Sequence, residues 1–92
     1  MAHRLAPQAE AELHDIWWRV AKENGSPDVA DRLIDALTIR FFLLALYPQT
    51  GSRREELRPG LYSYPVREYV IFYRMQGEDV LILHLINGRR QE

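Results

Sequence analysis

The stretch GSRREELRPGLYSYPVREYVIFYR, Gly51 to Arg74, constrains the fold more than any other part of the chain. Leu61 to Val66 alternates as a strand, and Tyr69 to Met75 is rich in β-branched and aromatic residues. Only Arg67 and Glu68 separate them, a spacing that permits an antiparallel hairpin and little else. Ahead of the hairpin, Ser52 to Gly60 reads as a polar loop closed by a Pro-Gly turn. After it, Gln76-Gly77-Glu78 turns the chain into Val80 to Ile86, which is apolar on both faces apart from His84 and so reads as a central strand.

The first half is helical in pattern. Ala2 to Ala6 fits one short strand, and Pro7 suits the first position of a helix, where its missing N–H is harmless. Ala9, Leu13, Ile16, Trp17 and Val20 then recur at helical spacing as far as the Asn24-Gly25 stop. Ser26-Pro27-Asp28 opens a second helix as cap, first-turn proline and first-turn acid. Its core stripe is Leu33, Leu37, Phe41 and Leu44, with Ile34 at the edge. Beyond Arg40 a second stripe, Ile39, Phe42, Leu43 and Leu46, lies on the opposite side, and a helix apolar all round is expected to be buried all round. The order β-α-α-β-β-β predicts an α+β domain spanning residues 1–92, an antiparallel sheet with a two-helix hairpin on one face.

Bulk properties narrow the function. The chain has 92 residues, enough for a modest core, and no cysteine, so thiolate metal sites and disulfides are excluded and a cytoplasmic setting is expected. Its longest apolar run, Phe41 to Tyr47, is too short to span a membrane. A net charge of −1 argues against binding nucleic acid by bulk electrostatics, and no direct sequence-specific contact with nucleic acid is expected. Acids dominate the helical half, whereas Arg53, Arg54, Arg58, Arg67, Arg74, Arg89 and Arg90 crowd the second half, so an anionic partner should meet that half. His3, His14 and His84 are not spaced as metal ligands, and neither a metal nor another cofactor is implied. No phosphate loop, Ser-His-Asp pattern or carboxylate pair stands out.

Glu56-Leu57-Arg58-Pro59-Gly60-Leu61, Ser63, Pro65-Val66 and Tyr69-Val70-Ile71-Phe72-Tyr73-Arg74, in this order and spacing, closely resemble the signature of ParE-type toxins in the RelE/ParE superfamily. Leu5 to Leu13, Ala30 to Leu37 and Leu81 to Arg89 resemble that family's first strand and helix, second helix and last strand. The resemblance implies the toxin of a type II toxin–antitoxin module. A cognate antitoxin would neutralise it within a hetero-oligomer, and it would poison DNA gyrase rather than act as an enzyme. The rival reading is a RelE-like ribosome-dependent mRNA endoribonuclease; a third is a non-toxic relic that only binds antitoxin. In the RelE-type pattern an arginine usually stands where this chain has Val70, and an aromatic follows the last strand where this chain has Arg89-Arg90-Gln91-Glu92. No catalytic residue is therefore assigned.

Two sets of candidate contact residues result. Trp18 lies about 100° round from the core-facing Trp17, and tryptophan is a frequent interface anchor. With Ile39, Phe42, Leu43 and Leu46 it would receive an amphipathic antitoxin segment or a second copy of the chain; alternatively, the second stripe is sandwiched between the first helix and the sheet. Arg58, Arg67, Arg74, Arg89 and Arg90 are the candidate target contacts, with Arg58 expected to be held in a fixed structural contact.

Overall fold

A computed structural model describes residues 2–88. Strand β1 (His3–Leu5) leads into helix α1 (Pro7–Asn24) and helix α2 (Pro27–Leu46). A single 3-10 turn (Pro48–Thr50) then gives way to β2 (Ser52–Arg53), β3 (Tyr62–Val66), β4 (Tyr69–Gln76) and β5 (Asp79–Asn87).

Both helices begin on proline at the first turn. Ala6 occupies the N-cap of α1 in an extended conformation and offers no side-chain acceptor, whereas Ser26 caps α2 by accepting the Asp28 N–H at 3.3 Å. Gly25 ends α1 in the left-handed region at φ 64°, and the next turn starts α2, giving a tight helical hairpin. Towards the turn the two helices are tied by the Trp17 indole N–H, which donates to Asp31 Oδ1 at 2.7 Å.

The hairpin covers one face of a five-stranded sheet of order β1-β5-β4-β3-β2. From the helices, Ala9, Ile16, Leu33, Leu37, Phe41 and Leu44 meet Tyr69, Ile71, Tyr73, Val80, Ile82 and Leu85 of the sheet, all buried. Fully burying an aliphatic or aromatic side chain of this kind contributes about 1.5–3 kcal/mol. The α+β class and the helical hairpin agree with the sequence reading, as does the inner position of β5. Two details differ. The sheet is mixed, because β1 runs parallel to β5 (His3 opposite Val80, Leu5 opposite Ile82), and parallel neighbours need the long crossover that the rest of the chain provides. The stretch read as wholly loop also contributes β2, paired with the start of β3.

Both edge strands are short. β2 covers only Tyr62 and Ser63 of β3, and beyond it stands Pro65, which has no N–H to offer another strand. β1 covers only Val80 to Ile82 of β5; past that point the Glu12 carboxylate accepts the Leu85 N–H at 2.8 Å. Between these two positions the β4–β5 register slips, with Phe72 opposite His84 but Tyr73 opposite Ile82, so Leu83 is the extra residue of a bulge. The inward side chains are consequently Val80, Ile82 and Leu85, and His84 faces away from the helices beside Phe72.

The end of α2 is locked to the sheet by one phenol. Tyr73 is fully buried; its hydroxyl donates to the Pro48 carbonyl at 2.8 Å and accepts the Gly51 N–H at 3.0 Å. Gly51 is required here, since a Cβ would run into the Tyr73 hydroxyl and come within 2.7 Å of the Ser63 carbonyl oxygen. Tyr62 stacks on Tyr73 with ring centroids 5.4 Å apart, and the Arg40 guanidinium sits 4.4 Å over the Tyr64 ring. The tyrosines of β3 and β4 are thus packing residues.

Candidate functional site

The second stripe of α2 is not sandwiched. Ile39, Phe42 and Leu46 are 59 %, 60 % and 51 % exposed, and Leu43 is half-buried. The expectation that this part of the helix is buried all round is therefore corrected: the sheet occupies one side of α2 and α1 another, which leaves the third side bare. At 100° per residue Ile39, Phe42, Leu43 and Leu46 fall within about one third of the helix circumference. Tyr47 continues the patch at 64 % exposure.

Trp18 joins from α1. It is 64 % exposed and meets Trp17 edge-to-face at 5.2 Å. It forms one wall of an open groove of about 960 Å³, whose other walls include Leu5, Pro7, Ala11, His14 and Ile34. Leu5 and His3 share a face of β1, being two residues apart, and the His3 ring packs edge-on against Phe42 at 4.8 Å. The groove and the α2 stripe therefore form one apolar band from Trp18 through Leu5 and His3 to Phe42, Ile39 and Leu46. Burial between Phe41, 5.5 Å away, and Phe42 lowers the His3 pKa below its ordinary value, so the ring in this band is neutral near pH 7. His3, Leu5 and Ile34 had no signal as interface residues; their placement depends on how β1 meets the hairpin.

Among the described residues the candidate arginines are not gathered into one site. Arg58 was expected to be held, but its side chain is exposed, and among the described residues only its backbone is bonded, to Arg54 and Leu61. Arg54 is held instead: its Nε donates to the buried Ser63 hydroxyl at 2.7 Å, and Glu56 lies 3.9 Å from its guanidinium. The reason is position, since Arg54 leaves β2 directly over β3, whereas Arg58 sits further out on the loop. Arg58 borders a hollow of about 190 Å³ on the helix-free face with Leu57, Leu61, Phe72, His84 and Ile86. The His84 Nδ1 is 3.7 Å from Glu12 Oε2, a contact that sequence spacing does not reveal. Arg74 shares the Phe72 face of β4 and donates to the Met75 carbonyl at 3.3 Å. Arg67 occupies the β3–β4 hairpin tip, separated from Arg74 by roughly 20 Å of strand. Arg89 and Arg90 lie outside the described residues. Val70 pairs with Ile86, so the position where a RelE-type arginine is usual is part of an apolar sheet surface.

A helical hairpin against a mixed sheet, with a bare apolar band on the hairpin, defines a small α+β protein. Over residues 4–92 the sequence matches the ParE toxin family of the type II toxin–antitoxin system parDE, and the chain belongs to that family. It is 37 % identical over 75 residues to Toxin ParE3 of Caulobacter vibrioides, covering 82 % of this chain and 75 % of that protein. Toxin ParE1 of the same organism is 31 % identical over 84 residues, covering 89 % and 86 % of the two chains. Toxin ParE1 of Mycobacterium tuberculosis is 29 % identical over 77 residues, covering 84 % and 78 %. The fold is that of a chain from the chromosomal ParDE TA system of P. aeruginosa, with a TM-score of 0.81, 19 % identity and 95 % of each chain covered.

Proposed function

We propose that this toxin is neutralised by a cognate antitoxin that lays an amphipathic segment along the band from Trp18 to Leu46, and that free toxin poisons DNA gyrase in the cytoplasm. The observation that supports the first part is the band itself: Trp18, Ile39, Phe42 and Leu46 of the helical hairpin are each more than half exposed. An amphipathic helix in such a groove is a common recognition mode. Phe42→Asp with Leu46→Asp is expected to leave the fold intact and weaken antitoxin binding by more than ~100-fold. Undiminished binding by the folded double variant would remove the band from the interface.

The gyrase assignment extends family membership. Purified, antitoxin-free protein, gyrase, ATP and supercoiled plasmid should yield protein-linked linear DNA after detergent and protease. If no linear DNA forms with a gyrase that responds to a known poison, the gyrase reading fails. One observation favours a second reading, ribosome-dependent RNA cleavage: His84, beside Glu12 at 3.7 Å, faces the same hollow as Arg58. That reading requires transcripts to be cut while DNA stays whole, and requires His84→Ala to abolish the cutting.

A further inference from the structure

Among the described residues, Arg67 alone combines a side chain with positive φ, at 56°. It stands at the first loop position of a two-residue hairpin turn, where glycine meets no such steric cost and Asn or Asp offsets part of it by local hydrogen bonding. Nothing within the described structure accounts for an arginine there, for the side chain is exposed and makes no hydrogen bond or ion pair. The tip is nonetheless anchored. Tyr69 is buried directly behind it, and the Glu68 carbonyl accepts the Gly88 N–H at 2.8 Å. Beside the tip is a concavity of about 370 Å³ lined by Pro65, Arg67, Glu68, Tyr69, Val70 and Gly88. Gly88 lies on its floor, where a Cβ would reach the Val70 methyl at 3.4 Å, ordinary van der Waals contact.

A strained, solvent-facing cation on an anchored turn, beside a concavity with Pro65, Tyr69 and Val70 in its lining, is built for contact, since the fold alone would be better served by glycine. We propose that the Arg67-Glu68 tip is the element by which the toxin reads its target, and that the target surface is protein. This rests on the toxin reading above. A guanidinium suits bidentate capture of a carboxylate. The exposed Glu68 next to it would repel a uniform polyanion, but it fits a protein surface that presents a cation beside its carboxylate. An apolar side chain of the target fills the concavity. None of these residues borders the groove that holds Trp18.

Arg67→Gly and Glu68→Arg test the assignment in the full chain, by thermal midpoint, antitoxin affinity and the amount of toxin needed to arrest growth. Arg67→Gly is expected to raise the midpoint by several degrees, because strain is relieved, and to leave antitoxin affinity unchanged. Its toxic dose should rise at least ~10-fold, the loss expected for one interface hot spot. Glu68→Arg should also lose potency; a gain would mean a polyanionic target and overturn the protein assignment. Arg67→Gly as toxic as the wild type overturns the role of the tip while leaving the toxin reading intact. A wild-type chain that does not arrest growth defeats the toxin reading, and the tip assignment with it.

Discussion

Replacing Tyr73 by Phe removes one oxygen atom and tests the claim that a single phenol locks the end of α2 to the sheet. The ring stays, so neither a cavity nor a loss of stacking on Tyr62 contributes. What is lost is the hydroxyl that donates to Pro48 at 2.8 Å and accepts from Gly51 at 3.0 Å, in a side chain with no exposed area. Each hydrogen bond contributes about 0.5–1.5 kcal/mol net, and a partly buried carbonyl and N–H left without a partner cost more, so about 2–3 kcal/mol is expected. A domain of this size has a total stability of about 5–14 kcal/mol, and the loss should lower the thermal midpoint by roughly 10–20 °C. Urea unfolding followed by Trp17 and Trp18 fluorescence would show a lower midpoint at unchanged slope. Tyr62→Phe is the control, because that hydroxyl makes no hydrogen bond among the described residues. If both variants fall within about 0.5 kcal/mol of the wild type, the latch contributes nothing and the argument is wrong. Burial also raises the Tyr73 pKa above its ordinary value of 10.0. The folded state then holds its proton more tightly than the unfolded state, so this contribution is complete below pH 10 and is lost as pH rises through the folded pKa. The alkaline decline in stability should be shallower in Tyr73→Phe, with buried Tyr69 responsible for what persists.

Three other outcomes follow from the same geometry. Ala6→Ser supplies the missing cap on α1 in a backbone already extended, and should stabilise the protein by about 1 kcal/mol, read as a higher urea midpoint. Gly51→Ala forces a methyl group into the Tyr73 hydroxyl and should be at least as destabilising as losing that hydroxyl, by the same assay. Because burial lowers the His3 pKa, its neutral form stabilises the fold fully above pH 6.5, and that contribution is lost as pH falls through the folded value; His3→Phe should flatten this part of the stability profile.

Much of the architecture was legible without coordinates, because it is recorded in local physics. Proline at two helix starts, glycine at Gly25, 3.6-residue spacing in α1 and the two-residue connection at Arg67-Glu68 each act within a few residues, and each element formed where those signals put it. The apolar stripe Ile39, Phe42, Leu46 was legible as a pattern. Whether it faced core or solvent was not, since that depends on how many sides of α2 its neighbours cover.

What only the tertiary structure decided depends on pairings between residues far apart in the chain. Alternation along β5 would send His84 inward with Val80 and Ile82; the bulge opposite Phe72 puts Leu85 there and turns His84 to the open face, beside Glu12. The parallel docking of β1 on β5 brings His3 to Phe42 and completes the apolar band. The choice of Arg54 over Arg58 as the anchored arginine likewise follows from β2 pairing with β3. Sequence determines which faces are apolar because side-chain direction repeats with the local backbone period. Which of those faces meet depends on strand register, and register is set by contacts that no short window of residues contains.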